Sequence, residues 1–454
     1  MNLKEVNNVY FLGVGGIGMS ALARYFKSLG CNVSGYDKTK TSLTQELEKE
    51  GIVIHYDENV DKIPVEIKSN TADSIVIYTP AIPKNNLEYL FFLEQHTRLY
   101  KRAEVLGLIT KNYFTIAVAG THGKTTTSSI IAHVLNECGV DTLAFLGGIS
   151  LNFNSNLLLN PKAKTVVVEA DEFDRSFLTL SPNISVVTSI DADHLDIYGD
   201  KNEMQKSYQD FVNKLAIDGV LITKPEMNGK LSFPKTITYH VQHKADFYPS
   251  NIKIEDGNYI LSIDNQIIKL GFPGIHNVEN AIAAYAVAKQ LKLNTNQIIA
   301  GLASYKGVKR RFEYHVKTLK LVYIDDYAHH PEELKMCITS VKELYPSKRI
   351  TGIFQPHLFS RTRDFLDEFA ASLSLLDELI LLDIYPAREL PIQGITSQLI
   401  LDKATCRNKK LLGKQELMTY IESTNFEVLL TLGAGDIDVF VEPIADCLKN
   451  KLND

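Results

Sequence analysis

The sequence predicts an α/β protein with three domains, of which the first and third are Rossmann-like and the central one is a P-loop-type α/β domain with a small β insert. Three observations predict this fold. Apolar, strand-like runs alternate with helix-periodic stretches along the whole chain. One glycine-rich loop follows a strand near the N-terminus, and a second follows a strand in mid-chain. The length of 454 residues exceeds what one hydrophobic core usually serves.

The first predicted domain covers residues 1–108. The run "VYFLGVGG" predicts a strand that enters a glycine turn, and a stretch with helical spacing of apolar residues follows it until Gly30. "CNVSGY", which leads to Asp37, and "SIVIYTPAIP" predict two further strands. Because strands alternate with helices, we expect a mostly parallel sheet.

The second predicted domain covers residues 109–312. "YFTIAVAG" predicts a buried strand, and "KTVVVEAD" and "NISVVTSID" predict strands that both end in acidic residues. A β-rich insert is expected at about residues 231–272, where "DGNYILSIDNQIIKLGF" resembles a hairpin. The helix "HNVENAIAAYAVAKQL" then leads to "GVKRRFEYH", a basic stretch that we interpret as an interdomain hinge.

The third predicted domain covers residues 313–454, in which predicted strands and helices alternate again. The strand ends are predicted in "LVYIDDYAHHP", "RITGIFQPH", "DELILLDIYP" and "FEVLLTLGAGD", with helices between them.

Composition narrows the class of protein. A net charge of −6 disfavours nucleic acid and anionic membranes as partners. The five cysteines are scattered without a CxxC spacing, which is typical of free thiols in a reducing compartment. The chain opens on a short strand rather than a signal peptide, and no apolar run reaches the roughly 18 residues of a membrane span. We therefore expect a cytoplasmic protein. A monomer or weak homodimer is the expected form, although composition does not determine the oligomeric state.

The N-terminal loop has the spacing Gly13-x-Gly15-x-x-Gly18, with a strand before it, a helix after it and Asp37 further on. Glycines at these positions let the backbone approach a diphosphate at the helix N-terminus. The pattern predicts diphosphate binding more firmly than it predicts NAD. A tight turn without a ligand is the alternative.

The mid-chain loop "AVAGTHGKTTTSS" departs from the common pattern G-x-x-x-x-G-K-[ST], because Val118 stands where the first glycine belongs. Its remaining parts suit a triphosphate. Backbone N–H groups between Gly120 and Lys124 would hold phosphate oxygens, the Lys124 ammonium would neutralise the β and γ oxygens, and the Thr125 hydroxyl would ligate Mg²⁺.

Acidic partners for the metal are expected at neighbouring strand ends. Glu169 ends "TVVVE", and His194 lies in "DADHLD" just past the next strand. A carboxylate and an imidazole are a less usual magnesium set than two carboxylates. A solvated strand-end acid and a capping or core histidine are the alternatives for these two residues.

Polar side chains are dense at strand ends of the third domain, in "DDYAHHP" and "PHLFSRTRD". Open α/β sheets bind ligands at such ends. The adjacent histidines have no further metal-ligand spacing, so hydrogen bonding is the better interpretation. The pairs Arg361 and Arg363, and Arg310 and Arg311, fit either surface charges or anion-binding groups, since an arginine near a hinge can reach a phosphate on domain closure.

Together these stretches resemble the Mur ligase family, the ATP-dependent amide-forming enzymes of peptidoglycan synthesis. The resemblance covers essentially the whole chain and is carried by "FLGVGGIGMSALA", "SGYD", "AGTHGKTTT", "VVEADEFDRSFL", "DADHLDIYGD", "GIHNVENAIAA", "GVKRRFE", "DDYAHHPEEL", "FQPHLFSRTRD" and "YPARELPI". It is strongest to the alanine-adding branch. The first domain would then bind a UDP-linked substrate, the central one would be the ATPase-type domain, and the third would close over the amino acid and ATP.

The resemblance implies a reaction. The lactyl carboxylate of UDP-N-acetylmuramate attacks the γ-phosphate of ATP, and the amine of L-alanine displaces phosphate from the resulting acyl phosphate. This step belongs to cytoplasmic peptidoglycan precursor synthesis, hence to cell wall biogenesis, cell shape and division. The implied cofactors are ATP and Mg²⁺, with Mn²⁺ as a possible substitute.

The resemblance also implies roles for individual residues. The catalytic set is Lys124, Glu169, His194, Arg311 and His329, and the metal ligands are Thr125, Glu169 and His194. ATP would be bound by Gly120, Thr121, His122, Gly123, Lys124, Thr125, Thr126, His276, Asn277, Asn280, Arg311 and Asp326. The UDP-substrate would be bound by Gly15, Gly16, Ile17, Gly18, Met19, Ser20, Asp37, Thr79 and Arg102. The amino acid would be bound by Tyr327, His329 and Arg361.

Two positions depart from common family patterns. Many alanine-adding members carry an arginine after "FQPH", where this chain has Leu358. Relatives that add later residues use a carbamylated lysine near the place of Tyr208, and Lys206 is expected on another face. Three alternative functions remain open: a branch that joins a recycled tripeptide to the same UDP-sugar, a nicotinamide oxidoreductase, and a non-catalytic ATP-gated binding protein.

Overall fold

The computed structural model describes residues 3–69, 71–191, 198, 200–255, 258–387 and 389–453. Contacts divide the chain into two compact units. The first contains residues 1–251, 261–269 and 279–306, and the second contains residues 252–260, 270–278 and 307–454. No helix among the described residues is both long and apolar enough to cross a bilayer.

The N-terminal sheet has five parallel strands. Its elements are β1 (Asn8–Leu12), α1 (Ile17–Ser28), β2 (Asn32–Tyr36), α2 (Ser42–Lys49), β3 (Val53–His55), α3 (Val65–Lys68), β4 (Ser74–Tyr78), α4 (Leu87–Glu94), β5 (Leu99–Lys101) and α5 (Arg102–Thr110). The strand order is β3-β2-β1-β4-β5, and every pairing is parallel. This is the doubly wound arrangement, in which the strand order reverses beside β1.

The central sheet has seven strands in the same unit. Its elements are β6 (Phe114–Ala119), α6 (Lys124–Glu137), β7 (Thr142–Ser150), β8 (Ser155–Leu158), β9 (Thr165–Glu169), β10 (Ile184–Val187), α7 (Lys201–Val212), β11 (Val220–Thr223) and β12 (Thr236–Thr238). The order is β12-β11-β10-β6-β9-β7-β8, and only the pairing of β8 with β7 is antiparallel among the described pairs. β6 thus lies in the middle, with its loop between the ends of β9 and β10.

A small sheet follows, with β13 (Asn251–Glu255), β14 (Asn258–Ile263) and β15 (Gln266–Lys269) in that order. Asp264 and Asn265 join β14 to β15 with φ of 50° and 60°, as a two-residue hairpin turn requires. The predicted hairpin is therefore confirmed. The predicted start of the insert at 231 is wrong, because β12 lies within it and extends the central sheet through parallel pairing with β11.

Helices α8 (Ile275–Gln290) and α9 (Thr295–Ser304) precede the last sheet. The strands of that sheet and the helices around it are, in chain order, β16 (Glu313–Lys317), β17 (Val322–Asp326), α10 (Pro331–Leu344), β18 (Ile350–Phe354), α11 (Phe359–Asp364), α12 (Leu366–Leu373), β19 (Glu378–Leu381), α13 (Ser397–Lys403), β20 (Asn408–Leu411), α14 (Lys414–Ser423), β21 (Val428–Leu432) and α15 (Val441–Asn453). The order is β16-β17-β21-β18-β19-β20, and among the described pairings of this sheet only that of β16 with β17 is antiparallel.

Side-chain burial explains these elements. The strands β1, β10, β17, β18 and β21 are buried along their whole length, as expected for parallel strands covered by helices on both faces. One core cluster runs from the N-terminal sheet into the central sheet, which is why these two sheets form one unit. A buried polar contact joins them, because Asn156 on β8 donates to the carbonyl of Ile17 and to the hydroxyl of Ser20 on α1.

Candidate active site

The first glycine loop lies where the strand order of the N-terminal sheet reverses. β1 pairs with both β2 and β4, so the loop after β1 and Thr79 after β4 share one edge. Gly13 has φ of +88°, and a Cβ there would lie 2.5 Å from Thr79 Cγ2. This crevice at the carboxyl ends of the strands is where open α/β sheets bind their ligands.

A pocket of about 250 Å³ opens beside this loop and reaches the central sheet of the same unit. It is lined by Gly16, Ile17, Gly18, Met19, Ala21, Leu22, Thr79, Arg102, Leu106, Phe145, Leu146, Gly147, Glu169 and Asp171. A Cβ on Gly18 would lie 2.6 Å from Arg102 Nη1, so a larger residue there would displace the guanidinium from its present place. Arg102 in turn pairs with Asp171 at 3.4 Å. The pocket thus brings residues of both glycine-loop regions together.

Three predicted residues of the first loop region lie outside this lining. Asp37 accepts a hydrogen bond from the backbone N–H of Gly15 at 2.7 Å, which fixes the loop rather than facing the pocket. The Ser20 hydroxyl is buried and donates to the carbonyl of Ile17. Roles for these three in substrate binding stay predictions.

The second glycine loop joins β6 to α6. Gly120 has φ of +135°, and a Cβ there would lie 2.0 Å from Thr188 Oγ1. Gly123 has φ of +80°, caps α6 and lies against Asn280, whose Oδ1 also accepts from Thr127 at 3.0 Å. Val118 is fully buried within β6. The loop therefore bends only from Gly120 onward, which accounts for the missing first glycine.

Lys124 points into this loop. Its ammonium donates to the carbonyl of Gly120 at 2.6 Å, to that of Thr121 at 3.4 Å and to Glu172 Oε1 at 2.8 Å. Burial disfavours the charged form, but the combined negative charge of Glu172, Glu169 and Asp171 outweighs it and raises the pKa of Lys124. The side chain therefore stays a cation at neutral pH. The hydroxyl of Thr121 contacts that of Ser189 at 2.8 Å, which ties the loop to the segment after β10.

Glu169 ends β9 beside the loop, as predicted. Its Oε2 is buried and has no hydrogen-bond partner among the described residues. Buried polar atoms normally have a partner, so this oxygen fits the role of a cation ligand. Thr125 is buried in the first turn of α6 next to Lys124. The hydroxyl and carboxylate thus fit a hard cation such as Mg²⁺. The third predicted ligand, His194, lies outside the described residues.

Sequence reasoning missed Gly147 and Glu172. A Cβ on Gly147 would lie 2.1 Å from Glu169 Oε2, so glycine is required for the carboxylate to lie where it does. Glu172 is almost fully buried, and the Tyr198 hydroxyl donates to its backbone carbonyl at 2.5 Å. Glu172 stands in a run of three acids, "EADE", whose spacing does not single it out.

In the second unit, the acidic pair at the end of β17 has two separate roles. Asp325 is fully buried, pairs with Arg310 Nε at 3.0 Å and accepts from the Thr431 hydroxyl at 2.6 Å. Asp326 accepts from the backbone N–H groups of Phe312 and Ala328, both at 2.7 Å. Burial raises the pKa of Asp326 to about 6. Arg310 is therefore a structural ion-pair partner rather than a free linker charge.

Arg311, a predicted nucleotide-binding residue, has its guanidinium 5.3 Å from the ring centroid of Tyr327. The pKa of His276 is lowered to about 4, mainly by burial and further by the charge of Arg311. Asn277 donates to the carbonyl of Pro273 at 2.6 Å, so this side chain is already engaged.

The predicted amino-acid residues lie close to one another in the same unit. His329 Nδ1 contacts the carbonyl of Tyr327 at 3.0 Å and Glu333 Oε2 at 3.3 Å. Burial lowers the pKa of His329, and the Arg361 charge adds to this effect. Arg363, by contrast, pairs with Asp364 on the surface. Leu358 has φ of 70°, so the departure from the family pattern coincides with a strained backbone position before α11.

Comparison with known proteins identifies the relatives of this chain. Residues 8–114, 118–288 and 310–435 match, in order, the Mur ligase family catalytic domain, the Mur ligase middle domain and the Mur ligase glutamate ligase domain. The UDP-N-acetylmuramate–L-alanine ligase of Flavobacterium psychrophilum is 52% identical over 457 residues, which cover 99% of this chain and 100% of that protein. The chain belongs to the Mur ligase family.

Solved structures of Mur ligases support the fold. The UDP-N-acetylmuramate-alanine ligase of Thermotoga maritima is 27% identical with a TM-score of 0.84, over 98% of this chain and 99% of that one. A murein peptide ligase from Psychrobacter arcticus is 21% identical with a TM-score of 0.70, over 98% and 99%, which shows a shared fold. The predicted fold class and the family resemblance are confirmed.

His276 should make this Mur ligase sensitive to acid. It is neutral when folded because burial lowers its pKa from 6.5 to about 4, whereas the unfolded chain takes up the proton near 6.5. Stability is therefore present above pH 6.5 and lost as the pH falls toward 4. Between pH 7.5 and 5 this loss amounts to about 2 kcal/mol of unfolding free energy.

Urea titrations of the wild type and His276→Asn at about pH 7.5 and about pH 5 measure this loss of unfolding free energy. The variant should lose about 2 kcal/mol less on acidification, while His96→Asn, which changes an exposed histidine, behaves as the wild type. Asp326, whose pKa is raised from 3.8 to about 6, increases the free energy of unfolding as the pH falls through this range, but it is present in all three proteins. Equal losses in wild type and His276→Asn would contradict the assignment.

Proposed function

We propose that this Mur ligase joins L-alanine to the lactyl carboxylate of UDP-N-acetylmuramate in an ATP-dependent reaction. The observation that carries the proposal is the pocket in which Gly16–Gly18 of the first loop face Glu169 and Asp171 beside the second loop. A substrate held by the first loop would present its far end to the loop that binds the triphosphate. The 52% identical relative from Flavobacterium psychrophilum carries the same activity in its name.

The chemistry explains the need for two loops. A carboxylate is a poor electrophile, so its oxygen must first displace ADP from the γ-phosphorus of ATP and form an acyl phosphate. The alanine nitrogen then attacks the carbonyl carbon, and phosphate leaves as the amide forms. The reacting carboxylate and triphosphate are both anions, and the buried Lys124 ammonium offsets their repulsion during the first step.

Mg²⁺ is part of the proposal, with Mn²⁺ as a substitute. Thr125, Glu169 and His194 would hold it, and the ion would neutralise charge on the phosphate oxygens. The buried Oε2 of Glu169, which has no hydrogen-bond partner in the part of the chain that the structure describes, supports this assignment.

Residues of the second unit are proposed to act on the adenine and the amino acid. His276 and Asn277 would contact the adenine, and Arg311 and Asp326 would contact ATP. Tyr327, His329 and Arg361 would form the alanine pocket, where the Arg361 guanidinium suits a carboxylate. Because burial lowers its pKa, His329 is neutral at pH 7, and a ring nitrogen can accept a hydrogen bond from the alanine amino group.

The proposal also covers the cellular location, the oligomeric state and the domain boundaries of the protein. The reaction would supply a peptidoglycan precursor in the cytoplasm, without nucleic acid or a membrane as partner, in a monomer or weak homodimer. The domain boundaries 1–108, 109–312 and 313–454 are part of it, with the UDP-substrate, ATP and amino acid bound by the domains in that order.

Phosphate release tests the proposal directly. Release should require UDP-N-acetylmuramate and L-alanine together with ATP, and mass spectrometry should find the amide product. Release without the UDP-sugar would contradict the proposal, and nucleotide binding without any amide would favour a non-catalytic binding protein. If the recycled tripeptide supports turnover and L-alanine does not, the tripeptide-adding alternative is correct. Bound dinucleotide with no ATP turnover would favour the oxidoreductase.

A further inference from the structure

The Lys124 ammonium has its full set of partners in this structure. An ammonium donates three hydrogen bonds. The carbonyls of Gly120 and Thr121 and the Glu172 carboxylate accept at 2.6, 3.4 and 2.8 Å. A phosphate oxygen can therefore bind this ammonium only if one of the three acceptors gives way.

Glu172 is the acceptor that can give way. The two carbonyls belong to the glycine loop that surrounds the phosphates, and they move only with its backbone. Glu172 is the only side chain of the three and, as a carboxylate, it competes directly with a phosphate for the same cation. Its side chain is 1% exposed and that of Lys124 is 14% exposed, so solvent screens this pair little.

We propose that Glu172 is a positioning residue that holds Lys124 when no nucleotide is bound and yields it to the phosphates of the nucleotide. The inference rests on the proposed nucleotide binding by this loop. The Glu172 carboxylate engages the Lys124 ammonium at 2.8 Å, so that the ammonium does not pair with Glu169, the proposed metal ligand. Each binding event then replaces a carboxylate–ammonium bond by a phosphate–ammonium bond. Glu172 thereby lowers nucleotide affinity and assists release of ADP.

The variant Glu172→Gln tests this exchange. The amide keeps the shape and an acceptor oxygen, but its bond to the ammonium lacks the carboxylate charge and is weaker, which destabilises only the nucleotide-free enzyme. Calorimetric titration with ADP and Mg²⁺ should show about 3- to 10-fold tighter binding than in the wild type. Asp174→Asn is the matched control, because Asp174 lies two residues away and pairs with Lys101 at 2.6 Å instead. It should change the affinity less than about 2-fold.

A double-mutant cycle separates an effect through Lys124 from a general loss of negative charge. In a Lys124→Met background, Glu172→Gln should leave the ADP affinity unchanged. Weaker ADP binding in Glu172→Gln, or the same gain with and without Lys124, would overturn the inference. If the wild type binds no ADP, the proposed function itself fails, whereas ADP binding that is indifferent to Glu172→Gln refutes only the exchange.

Discussion

Replacing Lys124 by methionine should lower the rate of phosphate release by about 1,000-fold. Methionine retains most of the apolar stem but removes the ammonium that donates to the carbonyl of Gly120 and to the Glu172 carboxylate. The lost cation would otherwise stabilise negative charge that shifts from the γ-phosphate toward ADP, and removing one such group typically costs a factor of 100 to about 1,000. Initial rates at saturating ATP, UDP-N-acetylmuramate and L-alanine measure the effect.

The matched control is Lys206→Met on α7. Lys206 is 69% exposed and lies 3.9 Å from Glu203, so this change should leave the rate within about 2-fold of the wild type. It also tests the branch assignment, since a lysine in this region is used by relatives that add later residues. Binding of UDP-N-acetylmuramate should survive Lys124→Met, because the pocket proposed for this substrate is lined by other residues. A Lys124→Met enzyme with full activity would refute the phosphate role.

Local sequence was sufficient to place both glycine loops. A buried strand, positive-φ glycines and a helix N-terminus form one continuous stretch of chain, so periodicity and glycine spacing together determine the turn. Gly13 and Gly120 show the expected left-handed backbone. The same logic placed Glu169 at the end of β9 and Asp326 at the end of β17, because parallel strands carry polar residues where they leave the core.

Contacts between distant segments could not be predicted in this way. Glu172 pairs with a lysine 48 positions earlier, and Arg310 binds Asp325 and the carbonyl of Gly433. These partners meet because helices and loops return to the same sheet edge, and no local pattern distinguishes Glu172 from Asp171 or Arg310 from Arg311. The insert boundary failed for the same reason, since β12 joins the central sheet only through pairing with β11.

Gly147 provides the second large prediction, and it too depends on a contact between strands. β7 pairs with β9 so that Gly147 lies beside Glu169, where a methyl group would be 2.1 Å from Oε2 and 2.5 Å from Cδ. The clash falls on the end of a flexible side chain, so Gly147→Ala should cost less than about 1 kcal/mol of unfolding free energy. It should nevertheless displace the proposed metal ligand and lower activity by about 100-fold, with a raised Mg²⁺ requirement.

A compensating change can show that the loss acts through Glu169. Aspartate is one methylene shorter, so Glu169→Asp withdraws the carboxylate from the added methyl group. We expect the double variant Gly147→Ala with Glu169→Asp to be no less active than Glu169→Asp alone, which is a strongly non-additive result. Gly413→Ala is the control, because a Cβ there meets only the flexible Glu416 carboxylate at 3.3 Å. If the fold-losses of activity of the two single variants instead multiply in the double variant, Gly147 matters for a reason other than the space it leaves for Glu169.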